Sequence, residues 1–344
     1  MQLPAFAALL YNRGSAFLKR HGILGEGMDT IRVGFVGAGG VANWLHYPSL
    51  AQMPDVKIEA VSELNEGRMR KTAEKYKVEK TFTNYREMLA KAEIDAVYVI
   101  MPPHHLFDIV IQCLNAKKHV FIEKPPGATR EQAYQMVRCA ERNGVLTMVG
   151  FNRRFIPVML KARQRVEERG PIIQCQATFY KNLDKPFWDG AVDILTADGI
   201  HSVDMLRWMG GEVKGLASVV GRYYMDGDNA VNVVMRFEGG ATGLLVTNWS
   251  VGGRQHTFEM HAKGISAFCN PDDKALIHKD NKTEPEVLTA NEAAGSNDKL
   301  RSYGFFGENR HFIDCVKSGQ MPQTHFGDAV KTMELIERIY GSRI

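Results

Sequence analysis

Lys124 follows the apolar run Lys118–Glu123 and precedes Pro125-Pro126-Gly127, so it stands where a strand must end. Ligands of doubly wound sheets bind at that carboxyl edge. A lysine there can polarise a hydroxyl or carbonyl oxygen, and partial burial lowers its pKa toward a useful range. A second group is Asp198-Gly-Ile-His201. Read as a helix, Ile200, Val203, Leu206 and Met209 form a core stripe, with Asp198, His201, Met205 and Trp208 on an adjacent face. Asp198 then touches His201, orients its ring and supports its protonated form, and Asp204 is within helical reach on the other side. A histidine titrating near neutrality suits the proton transfer that accompanies hydride removal from an alcohol. The plainer alternatives are a surface lysine capping a strand and a hydrogen-bonded core histidine.

The chemistry gains a ligand from residues 31–42, where an apolar strand runs into Gly37-x-Gly39-x-x-Ala42. Gly37 permits a tight turn, Gly39 lets the backbone approach a pyrophosphate, and Ala42 allows close packing of a helix whose free N–H groups face the phosphates. Gly40 and Val41 complete the turn. The next strand, Val56–Ser62, ends at Glu63, placing a carboxylate roughly 20 residues past the glycines, where a ribose hydroxyl is held. No arginine adjoins Glu63 to receive a 2′-phosphate, which favours NAD over NADP. Met101, Pro102, His105, Glu123 and Lys124 lie at later strand ends and complete the cofactor-binding set. His104-His105 are adjacent on one loop with no third ligand nearby, so no metal site is expected.

The elements that must position these groups alternate. Arg68–Lys77 is a charged helix, Asp95–Met101 a buried strand stopped by Pro102-Pro103, Phe107–Ala116 a helix, Lys118–Glu123 a strand, Thr129–Asn143 a helix and Val145–Gly150 a strand. This order predicts an α/β fold: a doubly wound parallel sheet over residues 31–150. From residue 151 the pattern changes. Arg154–Arg169 is helical; Ile172–Tyr180, Gly215–Tyr224, Ala230–Phe237, Thr242–Ser250 and Thr257–Ala262 read as a mostly antiparallel sheet, closed by a helix over 329–340. The chain thus divides into an extension (1–30), a dinucleotide-binding domain (31–150) and a substrate-binding and oligomerisation domain (151–344).

Composition agrees with this reading. At 344 residues, 44% hydrophobic and 24% charged, the chain is that of a globular protein with room for two cores. A net charge of +4 without a Lys/Arg run offers no nucleic-acid surface, and no apolar run reaches the length of a membrane span. Five widely spaced cysteines without a CxxC read as reduced thiols of a cytoplasmic protein. Leu3–Tyr11 is apolar but lacks the flanks of a signal peptide, and Met28 is a candidate translation start. Residues 1–30 are read as an extension, the sharper alternative being an amphipathic helix that docks on a neighbouring subunit.

The order of motifs resembles the Gfo/Idh/MocA (glucose–fructose oxidoreductase/inositol dehydrogenase) family over about residues 31–342. The resemblance rests on Val36-Gly37-Ala38-Gly39-Gly40, Lys118–Pro125, Gly150-Phe151-Asn152-Arg153-Arg154-Phe155 and His201-Ser202-Val203-Asp204. It implies a Rossmann domain followed by an α/β domain whose large open sheet mediates homodimers or homotetramers. It also implies catalytic Lys124 and His201, a cis bond before Pro125, and NAD-linked oxidation or reduction of a sugar, cyclitol or polyol. Asn152, Arg154 and Trp188 join Lys124, Asp198 and His201 as candidate substrate contacts. Two positions depart from the family pattern: Ala197 stands where the family has aspartate, leaving Asp198 to replace it, and Leu106 stands where it often has histidine. Rival functions within the resemblance are an NAD-retaining glycoside hydrolase and a sugar-responsive regulator, the latter lacking the lysine that Glu123-Lys124-Pro125 supplies.

Overall fold

The computed structural model describes residues 30–344; the extension read over 1–30 lies outside the described residues but for its last position. The chain forms two compact units. Of the described residues, one takes 30–127, Glu131–Gly150 and Glu308–Asp328; the other takes Ala128–Arg130, Phe151–Gly307 and Ala329–Ile344.

The first unit holds strands β1 (Ile31–Val36), β2 (Val56–Ser62), β3 (Lys80–Phe82), β4 (Ala96–Val99), β5 (His119–Glu123) and β6 (Thr147–Gly150). All pairs are parallel, in the order β3-β2-β1-β4-β5-β6. The order reverses between β1 and β4, and the carboxyl ends there are where such sheets bind ligands. Every residue of β4 and β6 is buried, as expected of strands covered on both faces. Local signals set the helix starts. The Asn65 side chain accepts the Arg68 N–H and caps Glu66–Tyr76, and Pro103 occupies the first turn of Pro103–Asn115, where a missing N–H costs nothing. The first-unit segment Glu308–Asp328 contrasts with a second domain read as unbroken from 151 to 344. Its Phe312 packs edge-on against Tyr98 and Phe121 of the sheet, a core contact that no local sequence signal discloses.

The second unit is an eight-stranded sheet: β7 (Gln174–Asn182), β8 (Val213–Gly221), β9 (Ala230–Phe237), β10 (Thr242–Asn248), β11 (Ser250–Ala262), β12 (Ile265–Asn270), β13 (Lys274–Lys279) and β14 (Glu286–Thr289), in the order β14-β13-β12-β11-β7-β10-β9-β8. Only β7 and β10 pair in parallel. Helices Pro157–Glu167 and Ile200–Gly210 cover one face. Along β9 and β10 burial alternates, the mark of a sheet with one open face. The strands β12 to β14 and the helix Phe305–Ser318 are not expected from the sequence. The strands are short and end in Lys, Asn or Thr, so their period-two pattern barely repeats. Among the described residues no helix is long and apolar enough to cross a membrane.

Candidate functional site

In the first unit the glycine turn behaves as its spacing requires. Gly37 has φ +108°, and a Cβ there would stand 2.5 Å from the Ile100 carbonyl oxygen, so the close approach of two strand ends demands glycine. At Gly39 an added Cβ would meet nothing within 4 Å, leaving room above the turn. Ala42 is fully buried. The chain leaves the turn as a π-helical turn, Ala42–His46, before the short α-helix Tyr47–Leu50. Single π turns of this kind concentrate at functional positions.

Glu63 closes β2. Its Oε2 accepts the Ala38 N–H at 2.9 Å, and its Oε1 accepts the Asn65 N–H and Arg68 Nη2, each at 2.9 Å. Burial pushes this carboxyl up, but the two backbone N–H groups and Arg68 outweigh it and hold the pKa below the usual range. Arg68, five positions beyond Glu63, therefore lies beside the carboxylate although it is not adjacent in sequence. A cleft of about 460 Å³ is lined by Gly37, Gly39, Glu63, Arg68, Met101 and Pro102 among others. An open glycine turn beside a strand-end carboxylate fits a dinucleotide. His104 and His105 are exposed in the first turn of their helix, their rings tilted at 57° with centroids 4.1 Å apart, while Leu106 is buried.

Glu123 and Lys124 stand at the carboxyl end of β5, and the Lys124–Pro125 peptide is cis, as the resemblance implies. The Lys124 N–H donates to Glu123 Oε2 at 3.1 Å, and Glu123 Oε1 meets His46 Nε2 at 3.0 Å. Opposite Glu123 in the ladder is Gly150, where a Cβ would stand 3.0 Å from Glu123 Oε1. The glycine that opens the Gly-Phe-Asn-Arg-Arg-Phe motif thus makes space for this carboxylate. His46, Glu123 and Glu308 offer donor atoms within 4.8 Å of one another, a cluster that sequence reasoning misses. Its members come from three distant segments, and no spacing rule joins them.

In the second unit Asp198 lies in a π-helical turn, Leu195–Gly199, that runs into the α-helix Ile200–Gly210 carrying His201. Both side chains are buried. Asp198 Oδ2 accepts Lys181 Nζ at 2.6 Å and Trp249 Nε1 at 2.8 Å, two partners that the helical wheel does not contain. Gly199 permits this: a Cβ there would come within 2.9 Å of the Trp249 ring. The edge of the Phe151 ring faces His201 at 6.4 Å.

The remaining candidates take other places. Arg154 forms a buried two-pronged pair with Asp204, Nε to Oδ2 at 2.8 Å and Nη2 to Oδ1 at 2.6 Å, and Thr332 Oγ1 donates to Asp204 Oδ1 at 3.2 Å. Asn152 is buried, donating to the Tyr303 carbonyl and accepting from Arg153, both at 2.9 Å. Trp188 stands on the turn Phe187–Gly190 with φ 48°, against Phe187.

Residues 31–151 match the family described as "Oxidoreductase family, NAD-binding Rossmann fold", and residues 159–266 match "GFO/IDH/MocA C-terminal domain". The chain is 28% identical over 314 residues to the myo-inositol 2-dehydrogenase of Thermotoga maritima, covering 85% of this chain and 90% of that one. It is 25% identical over 293 residues to the levoglucosan dehydrogenase of Pseudarthrobacter phenanthrenivorans, covering 71% and 74%. The crystal structure of a dehydrogenase from Chromobacterium violaceum superposes with a TM-score of 0.83 at 25% identity, covering 92% and 96%. With both domain models matched in order, and the sheet order and glycine turn in place, the chain belongs to the Gfo/Idh/MocA family of oxidoreductases, whose N-terminal domain is an NAD-binding Rossmann fold.

Proposed function

We propose that the protein is an NAD-dependent oxidoreductase acting on a C–OH or C=O group of a sugar, cyclitol or related polyol. The observation that carries this reading is Lys124 at the carboxyl end of β5, in a domain whose cleft suits a dinucleotide. Similarity to a myo-inositol and a levoglucosan dehydrogenase supports a polyhydroxylated substrate. Gly37, Gly39, Gly40, Val41 and Ala42 would cradle the pyrophosphate and Glu63 the ribose, with Met101, Pro102, His105 and Glu123 along the strand ends. Bound NAD supplies the hydride acceptor. Lys124 Nζ stabilises the developing alkoxide, a ring nitrogen of His201 takes the hydroxyl proton, and Asp198 orients the histidine. Asn152, Arg154 and Trp188 are assigned to the substrate wall; for Arg154 that role is an indirect one, through the Asp204 pair.

The five cysteines form no disulfide, which supports a cytoplasmic protein. The open sheet face supports a homodimer or homotetramer. Val287, Leu276 and Phe268 lie in one row across β14, β13 and β12, and Leu244 lies opposite Val234. Val234, Val287 and Phe268 are 61%, 53% and 41% exposed. A panel of cyclitols, sugars and anhydrosugars with NAD, followed at the NADH absorbance, tests the function. NAD-linked turnover with at least one polyol is expected; absence of turnover together with absence of NADH binding overturns the reading.

A further inference from the structure

The π-helical turn that leaves the glycine loop ends at His46, a fully buried histidine with both ring nitrogens engaged. Nδ1 lies 3.2 Å from Asn309 Oδ1, an atom that only accepts, so Nδ1 carries a proton. Nε2 lies 3.0 Å from Glu123 Oε1, and one proton is shared across that contact. The other Glu123 oxygen accepts the Lys124 N–H. The nearby Glu308 carboxylate gives the cluster the donor set of a cation site, but both His46 nitrogens are already spent on hydrogen bonds within it. A metal would have to break the Glu123 contact.

We propose that His46 is a positioning residue: by holding Glu123 it fixes the backbone of Lys124 at the end of β5. The inference rests on the reading of Lys124 as the group that meets the substrate oxygen. Anchored on Asn309 at one side and Glu123 at the other, His46 removes the freedom of Glu123 to swing away from the Lys124 amide. Gly150 leaves the carboxylate room to lie there. A small displacement of a catalytic group is costly, since a misplacement of about 1 Å lowers rate by about 10²-fold.

Two amide variants of similar polarity separate this link from general stability. His46→Gln reaches as far as Nε2 and keeps the contact with Glu123; His46→Asn reaches only the Asn309 side and loses it. Hydrogen exchange of the NAD-free protein, resolved to single amides, reads the Lys124 N–H directly. In His46→Asn the Lys124 amide is expected to exchange about tenfold faster, the equivalent of one ordinary hydrogen bond. The Ile122 amide, inside the β5 ladder, keeps its protection, and His46→Gln behaves like the wild type at both positions. Turnover falls in His46→Asn and recovers in His46→Gln. The inference is overturned if the Lys124 amide is unchanged in His46→Asn, if Lys124 and Ile122 loosen together, or if both variants unfold. The catalytic reading fails separately, if Lys124→Met keeps its turnover while the exchange pattern appears as expected.

Discussion

Two aspartates six residues apart on one helical segment have different partners and should fail in different ways. Asp204 neutralises the buried Arg154 and accepts from Thr332. Removing one partner of such a pair strands a buried charge, so Asp204→Asn is expected to lower folding stability by about 3–5 kcal/mol, measured by denaturant unfolding. Asp198 is held by Lys181 and Trp249 at the start of the helix that carries His201. A nearby negative charge favours imidazolium; Asp198→Asn should therefore lower kcat and move the midpoint of the pH–rate profile downward. A midpoint that moves in Asp204→Asn and stays in Asp198→Asn would assign the pairing to Asp204. Lys124→Met should leave folding and NADH binding largely intact and cost about 10²–10³ in kcat, the typical effect of losing one group that stabilises a reacting oxygen. Near wild-type turnover would return Lys124 to a surface role.

At the scale of elements, both sets of candidate residues sit where a π turn passes into an α-helix: Ala42–His46 after the glycines and Leu195–Gly199 before His201. An i→i+5 turn departs from the 3.6-residue period, so spacing rules that assume that period lose accuracy there. The wheel places Asp198 on the side of His201; Lys181 and Trp249 come from other segments of the chain, which no wheel contains. The glycine turn is better determined locally, because its conformation is dictated by what cannot fit. Gly37→Ala would drive a Cβ against the Ile100 carbonyl at positive φ. The backbone strain alone costs about 1–3 kcal/mol, and NADH affinity should fall with stability in a thermal-shift titration. Glu63→Ala should weaken NADH binding and release Arg68 to meet a 2′-phosphate, narrowing the preference over NADPH. An unaltered cofactor preference would remove Glu63 from the ribose.

For the molecule as a whole, a half-buried histidine and a buried one set an acid limit on stability. Burial lowers the His119 pKa to about 4, and its Nδ1 accepts the Leu146 N–H, which a protonated nitrogen could not do. Burial, with Arg153, Arg254 and Lys181 nearby, also holds the His256 pKa well below its usual value. Both folded pKa values are depressed, so neither group affects stability above the unfolded value near 6.5. As pH falls from there toward about 4, the unfolded chain takes up protons that the folded chain refuses, and stability drops. The denaturant midpoint should be lower at pH 5 than at pH 7. His119→Asn, whose amide oxygen accepts the same N–H without titrating, should shrink that difference; an equal drop in the variant would clear His119. The apolar row on the open sheet predicts a larger solution mass than one chain, and Val234→Asp together with Phe268→Asp should reduce it in light scattering.

The residue sequence by itself determined the features that depend on neighbours in the chain. The strand-to-glycine turn, the carboxylate ending the next strand, the lysine at a strand end before two prolines and the switch from alternating helices to short strands were all legible. Each is set by local sterics or by period, and their order carries the family. Tertiary structure decided what those residues touch. The Arg154–Asp204 and Lys181–Asp198 pairs, the His46–Glu123 contact and the place of Glu308–Asp328 in the first unit each join segments far apart in the chain. A hydrogen bond or ion pair is fixed by a few ångströms in space, and spacing along the chain does not encode that distance once the backbone has turned back on itself.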